Sequence, residues 1–283
     1  MKLLTLNTHS LEEPGYVEKT EKFIEMLVKE QPDIVALQEV NQSQNAAELP
    51  DVMLDGYTRC GGFELPVRAD NHAAYVVKEL RKRGIYYDWT WISAKTGYGK
   101  YDEGMALLSR KPIARVQQFL ISKTDDYENW KTRRTLGIQP EGSSDWFFTV
   151  HMGWWNDEEE PFADQWKCIQ EALKDPEYGE GIIWLMGDFN SQADVRGEGY
   201  DLVLKSGWKD TYLLAEEKDD GITVAEEIDG WREEDGRSGS TKNEKRLDYI
   251  FCNTPADVRS SNVICNGKNA PVVSDHYGVM ITV

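Results

Sequence analysis

The segment IIWLMGDFNS at residues 182–191 carries the strongest structural signal in the chain. Residues 182–186 form an uninterrupted apolar run, which predicts a β-strand that is buried on both faces. Asp188 and Asn190 follow this run directly. A strand held in the core would therefore deliver two polar side chains to its rim, where they are available for chemistry.

The same arrangement recurs at other apolar runs along the chain. Polar side chains stand at the ends of these runs, or just inside one, at Asn7, Glu39, His151, Asp248, Asp275 and His276. Each one alone is typical of a turn residue, a cap or an ion-pair partner. Because they recur in this order on separate predicted strands, we expect them to converge on one site.

Periodicity divides the rest of the chain into short apolar runs and amphipathic stretches. Helices are predicted at residues 16–30, 72–83, 161–173 and 200–205. Strands are predicted at residues 2–8, 33–40, 86–91, 104–109, 113–121, 133–139, 145–150, 182–186, 247–252, 258–265 and 277–283. Helices interspersed with successive strands indicate an α+β protein with mixed sheets. Because no repeat or linker interrupts it, a single domain over residues 1–283 is predicted, with a charged loop at 212–245.

The chain of 283 residues has a formal net charge of −18, which argues against two classes of partner. Proteins that coat nucleic acid or dock on anionic lipid use basic surfaces. Much of the negative charge falls at residues 157–160 and at 216–235, where ten acidic residues accompany two basic ones. The four cysteines are scattered, and neither a membrane span nor a signal peptide is recognisable. We expect a cytoplasmic monomer with reduced thiols.

The ordered motifs resemble those of the endonuclease/exonuclease/phosphatase superfamily, which includes deoxyribonuclease I-like enzymes. The matching segments are LTLN (4–7), ALQEV (36–40), VH (150–151), MGDFNS (186–191), LDYI (247–250) and SDH (274–276). The resemblance implies a four-layer sandwich, in which two mixed, mainly antiparallel β-sheets pack face to face with helices outside. It also implies hydrolysis of a phosphoester with Mg²⁺, or alternatively Mn²⁺, a cation that needs few protein ligands.

The resemblance also assigns metal-binding and water-activating roles. Glu39 is the expected principal metal ligand, and Asn7 and Asp275 would contribute directly or through water. Asp188 would orient and deprotonate the attacking water, and Asn190 would hold that water or a phosphoryl oxygen.

Two histidines are expected to face the phosphate. His276 would be held by Asp248 through its second ring nitrogen, which fixes the tautomer and favours the imidazolium. His151 would donate to another phosphoryl oxygen, supported by Glu103. The alternative for Glu103 is a plain surface carboxylate.

Aromatic and basic side chains suggest how a substrate is held. Tryptophans near predicted loops or strand ends are Trp89, Trp91, Trp130, Trp154 and Trp155. Their rings can stack on a sugar or a base, although about half should fill the core. Trp130, Trp154 and Trp155 are the predicted substrate-binding members.

The segment NWKTRR at residues 129–134 combines a tryptophan with three cationic side chains. Lys131 and Arg133 are predicted to share one face of a strand, opposite Arg134, and to bind the polar end of the substrate. The alternative is an exposed strand whose charges simply face water.

Several longer stretches resemble the maltose 6'-phosphate phosphatase group of the superfamily. They are LLTLNTHS (3–10), YGKYDEGMALLSR (98–110), DYENWKTRR (126–134) and HMGWWNDEEEPFADQW (151–166). The resemblance implies a phosphatase for a small phosphorylated sugar. The runner-up is a Mg²⁺-dependent nuclease or phosphodiesterase, which would need a continuous positive groove. A sphingomyelinase or a non-catalytic binding protein is less consistent with the sequence, because no secretion signal is present and the catalytic residue types are complete.

Overall fold

The computed structural model describes residues 1–225, 228 and 244–283. Its strands in chain order are β1 (Lys2–Asn7), β2 (Ile34–Ser43), β3 (Asp88–Gly97), β4 (Tyr101–Ser109), β5 (Ile113–Leu120), β6 (Arg134–Pro140), β7 (Trp146–His151), β8 (Ile183–Asp188), β9 (Lys209–Asp210), β10 (Glu217–Lys218), β11 (Asp248–Cys252), β12 (Ser260–Ile264) and β13 (Gly278–Thr282). Its α-helices are α1 (Tyr16–Glu30), α2 (His72–Lys82), α3 (Phe162–Ala172), α4 (Gly199–Lys205) and α5 (Thr211–Leu214). In the described part of the chain, no helix has the length and apolar character needed to cross a membrane.

The strands form two sheets. The first has seven strands in the order β10-β12-β13-β1-β2-β4-β3, and the second has six in the order β5-β6-β7-β8-β11-β9. β1 and β2 are parallel, as are β7 and β8, and β10 and β12, whereas the other neighbouring pairs are antiparallel. The prediction of an α+β fold with two mixed, mainly antiparallel sheets is therefore confirmed.

Alternate residues of each central strand point in opposite directions. One face of each sheet therefore packs against the other sheet, and the opposite face packs against helices. Leu3 joins Ile138 and Met186 in the core between the sheets. The next residue, Leu4, instead packs under α1 with Phe23. Side chains of this size contribute about 1.5–3 kcal/mol each when fully buried. Burial on both faces explains why these strands are almost continuously apolar.

The helices form the two outer layers. α1 and α2 cover the first sheet, and α3 and α4 cover the second, where Trp166 packs on Phe148 and Leu185. α1 has the predicted bounds, since its apolar face is strongly periodic and Pro32 follows two residues after its last residue. The fold is the predicted four-layer sandwich.

Trp89 and Trp91 are core residues, each 1% exposed, in line with the expectation that about half of the five tryptophans fill the core. Local signals were less informative in two other places. Lys131 and Arg133 do not share a strand face, because Asn129 accepts from the Lys131 and Thr132 backbone N–H groups and forms a turn before β6. The predicted loop at 212–245 contains part of α5 and β10, and residues 226–227 and 229–243 of its acidic segment lie outside the described residues.

Candidate active site

The polar strand ends meet at one edge of both sheets. β7 and β8 end together because they are parallel, and β11 begins beside them because it is antiparallel to β8. Register therefore places His151 opposite Asp188, and Asp188 opposite Asp248. His151 and Asp188 border an open cleft of about 240 Å³, and Asp248 lies behind them. The cleft is lined by His9, Glu39, Lys95, Thr96, Gly97, Tyr98, Glu103, Trp130, Arg133, His151, Trp154, Asp188, Asn190, Ile228, Asp275 and His276.

Glycine is required immediately before Asp188. Gly187 has φ 155°, and a Cβ atom added to it would lie 2.0 Å from the carbonyl oxygen of Val150 on the neighbouring strand. Any other residue would push β7 and β8 apart at the point where they deliver His151 and Asp188 to the cleft. The glycine of the Gly-Asp-Phe-Asn motif thus has a packing explanation.

Glu39 reaches the cleft from a β-bulge. The pairing of β2 with β4 shifts register between Leu37 and Val40, and Glu39 has φ 51°, which is uncommon for a residue with a Cβ atom. Asn7 Nδ2 donates to Glu39 Oε1 at 2.9 Å. Burial raises the pKa of Glu39, and the charge of Glu103 raises it further. Its negative charge is therefore poorly compensated by the protein alone.

Asp188 lies at the centre of the site. Its Oδ1 accepts from the Asn190 backbone N–H at 2.8 Å, and its Oδ2 accepts from Asn7 Nδ2 at 3.2 Å. The same Oδ2 lies 3.7 Å from His151 Nε2 and 3.8 Å from His276 Nε2. Burial raises the pKa of Asp188 to about 7, although His276 opposes the increase. A carboxylate with a pKa near neutrality is suited to accept a proton from water.

Asn190 fixes the position of the backbone immediately after Asp188. Its Nδ2 donates to the Met152 carbonyl at 2.9 Å, and its φ of 46° bends the backbone sharply after β8. Because its backbone N–H also bonds Asp188, the residue connects the Asp188 carboxylate to the loop after β7.

His276 and Asp248 form the expected buried pair. His276 Nδ1 lies 2.9 Å from Asp248 Oδ2, so the other ring nitrogen faces Asp188 and the cleft. Burial alone would lower the pKa of His276, but Asp248 and then Asp188 raise it well above its ordinary value. The site therefore contains a buried imidazolium, which can donate a hydrogen bond to a developing negative charge.

His151 has the opposite electrostatic environment. Burial lowers its pKa well below the ordinary value, and the cations Arg133 and Lys95 lower it further. The ring is thus a neutral imidazole that retains one N–H donor. His151 and His276 differ in charge because burial and nearby cations disfavour protonation of His151, whereas Asp248 and Asp188 favour protonation of His276.

The expected support of His151 by Glu103 is not seen among the described residues. Glu103 lines the cleft and is buried, but its Oε1 lies 3.1 Å from Lys95 Nζ. Lys95 is the register partner of Glu103 across β3 and β4. A cross-strand neighbour of opposite charge therefore holds this carboxylate.

The structure separates the predicted substrate-binding residues into two groups. Trp130, Trp154 and Arg133 line the cleft, and the two indole rings lie 5.3 Å apart between centroids. Lys131 Nζ instead forms ion pairs with Asp157 at 2.9 Å and Glu159 at 2.8 Å. Trp155 packs against Phe162 of α3.

Sequence reasoning missed His9 and Tyr98 at the rim of the cleft and Lys95 on its wall. His9 Nδ1 lies 3.2 Å from Glu13 Oε1, and its Nε2 lies 3.0 Å from the Tyr98 hydroxyl. Burial opposes protonation of His9, but Glu13 and Glu39 raise its pKa to about 9. The scarcity of histidine was an available signal, since the chain has four and three of them line the cleft.

The donor set at this edge fits a hard divalent cation. Glu39 has a poorly compensated carboxylate, Asp275 is a cleft-lining carboxylate whose charge raises the pKa of Glu39, and Asn7 bonds Glu39 directly. Oxygen ligands of this kind are those that Mg²⁺ prefers. Two groups of potential ligand atoms also lie close together, namely His9 with Glu13 and Asp275, and Asp188 with Asp248 and His276.

Comparison with known proteins agrees with this geometry. The model of the "Endonuclease/Exonuclease/phosphatase family" matches residues 4–276. A family protein from Leptotrichia buccalis has a solved structure with 34% identity and a TM-score of 0.83, covering 100% of this chain and 98% of that chain.

More distant solved structures share the fold. A mannosyl-6-phosphatase from Bacteroides thetaiotaomicron has 16% identity and a TM-score of 0.65, covering 100% of this chain and 98% of that chain. Truncated TDP2 from Caenorhabditis elegans has 14% identity and a TM-score of 0.61, covering 100% of this chain and 97% of that chain. A comparison with curated proteins gave no significant match. The family match over nearly the whole chain shows that this protein belongs to the endonuclease/exonuclease/phosphatase family of phosphoric ester hydrolases.

Proposed function

We propose that the protein is a Mg²⁺-dependent phosphatase that hydrolyses a small phosphomonoester, namely a phosphorylated sugar such as maltose 6'-phosphate. The observation that carries the proposal is the position of Trp130 and Trp154 on the same cleft as Asp188 and His276. Paired indole rings offer flat apolar faces to the C–H side of a sugar. A sugar held on these rings would place its phosphate near the catalytic groups.

The residues at the centre of the cleft have distinct roles in this proposal. Asp188 accepts a proton from the attacking water, and Asn190 positions that water or a phosphoryl oxygen. The His276 imidazolium donates to a phosphoryl oxygen as negative charge develops, with Asp248 fixing its tautomer. Neutral His151 donates a hydrogen bond to a second phosphoryl oxygen.

Glu39, Asp275 and Asn7 would hold the Mg²⁺ ion. When bound, the ion would act as a Lewis acid that withdraws negative charge from the phosphoryl oxygens. Mn²⁺ has the same preference for oxygen ligands and is the alternative cofactor.

Charge and cleft size favour a small ester over a polymer. The net charge of −18 would repel a polyanion at long range, whereas local cations can still attract one phosphate. The cleft volume of about 240 Å³ is near the lower end of the usual range for small-molecule sites, which suits a small ester better than a polymer. We further propose that the protein works as a cytoplasmic monomer without nucleic-acid or membrane partners.

A substrate panel tests this proposal. Purified protein would be assayed with maltose 6'-phosphate, other sugar phosphates, p-nitrophenyl phosphate and plasmid DNA, each with Mg²⁺ and with EDTA. We expect Mg²⁺-dependent release of phosphate from a sugar phosphate, and loss of that activity in Asp188→Asn. Nicking of DNA faster than turnover of every monoester would instead identify a nuclease.

A further inference from the structure

Two buried cations stand side by side on the wall of the cleft. Lys95 is 7% exposed and Arg133 is 5% exposed. Lys95 Nζ donates to the Trp130 carbonyl at 2.9 Å, and Arg133 Nη1 donates to the same oxygen at 2.8 Å. The shared acceptor makes the two cationic groups close neighbours, although like charges repel each other.

The local charges are not balanced. Glu103 is the ion-pair partner of Lys95 at 3.1 Å. No carboxylate oxygen of the described residues lies within ion-pair distance of Arg133, whose buried Nε has no hydrogen-bond partner. The pair therefore has one contacting carboxylate for two cations, and one buried guanidinium N–H group has no partner among the described residues.

Such an arrangement is costly unless a ligand completes it. Burial lowers the pKa of both side chains, and the charge of Arg133 lowers that of Lys95 further. Removing a charge from water without a paired counter-charge is unfavourable. Because both side chains line the cleft beside His151, an anion that enters the cleft can supply the missing charge.

Phosphate esters differ in the charge that they bring. A monoester loses its second proton near pH 6, so it is a dianion under mildly alkaline conditions. A diester has no second ionisable oxygen and stays a monoanion. Two adjacent cations with one contacting carboxylate therefore discriminate in favour of the monoester.

We propose that Lys95 and Arg133 together bind the second negative charge of a phosphomonoester and thereby select monoesters over diesters. The inference rests on the proposed phosphatase function and adds the residues that set its substrate class. A simple alternative is that Arg133 only offsets the field of Glu39 and Asp188, which both act on it at longer range. In that case its removal would weaken the hydrolysis of both ester classes equally.

The test compares p-nitrophenyl phosphate with bis(p-nitrophenyl) phosphate at about pH 8 in saturating Mg²⁺, where the monoester is a dianion. In Arg133→Gln and in Lys95→Met, we expect kcat/KM for the monoester to fall about 10- to 100-fold. The value for the diester should change less than about threefold, because the missing group has no second charge to bind. Arg133→Lys keeps the charge and should retain most of the selectivity.

Arg134→Gln is the matched control. It removes the same charge one residue away, where the guanidinium lies over the Phe63 ring outside the cleft, and it should leave the selectivity ratio unchanged. Thermal melts would identify any variant that fails to fold, and the variant that removes the other cation would then carry the comparison. Equal losses on both esters, in an enzyme that prefers the monoester, would overturn this inference alone. A wild-type protein that hydrolysed only diesters would refute the proposed function itself.

Discussion

Replacement of Asp248 by Asn tests the electrostatic basis of the site. The Asp248 carboxylate lies 2.9 Å from His276 Nδ1 in a fully buried environment. At an effective dielectric constant of about 20, two unit charges at this distance attract each other by about 6 kcal/mol. Loss of that attraction disfavours the protonated form of the imidazole, because the Asp248 charge is the main influence that raises the pKa of His276. Asp248→Asn should therefore leave His276 largely neutral near pH 7.

The variant should lose most of its catalytic rate while keeping its fold. We expect kcat to fall roughly 10³- to 10⁴-fold, since both the charge and the tautomer of His276 are disturbed. Because the folded-state pKa of His276 is raised, its charged form is present at low pH and is lost as pH rises through that pKa. The alkaline limb of the pH–rate profile should therefore move to lower pH in the variant.

The assay is steady-state hydrolysis of the preferred phosphomonoester from pH 5 to 10, together with urea denaturation. Asp145→Asn is the matched control, because Asp145 accepts from the Ile182 backbone N–H and from Trp184 Nε1 at the opposite end of β7 and β8. It should lose stability without losing kcat. A kcat for Asp248→Asn within tenfold of the wild type, or an unmoved alkaline limb, would refute the role assigned to the pair.

Three further predictions concern metal, substrate and stability. Glu39→Gln should raise the Mg²⁺ concentration for half-maximal activity more than about tenfold. In EDTA, the melting temperature of this variant should be no lower than that of wild type, because burial already disfavours the ionised form of Glu39. A lower melting temperature in EDTA would contradict that reasoning. Trp130→Ala should raise KM for a sugar phosphate about tenfold but leave KM for glycerol phosphate unchanged, since the ring is 48% exposed and lines the cleft. Equal effects on both substrates would exclude sugar stacking. Burial lowers the pKa of His72 to about 4, so the unfolded chain gains a proton at this position at higher pH than the folded protein does. Between pH 7 and pH 4, the free energy of unfolding measured with urea should therefore fall by about 3 kcal/mol more in wild type than in His72→Gln. Parallel losses would show that His72 titrates normally in the folded protein.

Local sequence patterns were sufficient to predict most of the strands and helices. The apolar run at residues 182–186 corresponds to β8, and the amphipathic stretch at 16–30 corresponds to α1. Both are recognisable because side-chain alternation and helical periodicity are properties of neighbouring residues. The order of the polar strand ends then indicated which residues would share a site, and the cleft contains Glu39, His151, Asp188 and His276 together.

The partners of individual side chains depended on the tertiary structure. Glu103 pairs with Lys95 because a register shift between Ser93 and Lys95 places the two opposite each other on β3 and β4. Lys131 pairs with the acidic loop at 157–160, whereas Arg133, two residues later, lines the cleft because a turn precedes β6.

The sequence by itself determined the family, the layered fold and the residue types at the centre of the site. The tertiary structure decided the charge state of each histidine, the grouping of Lys95 with Arg133, and the presence of His9 and Tyr98 at the rim. The physical reason is that periodicity and chain order are encoded locally, whereas burial, register and long-range ion pairs arise only when distant strands are brought together.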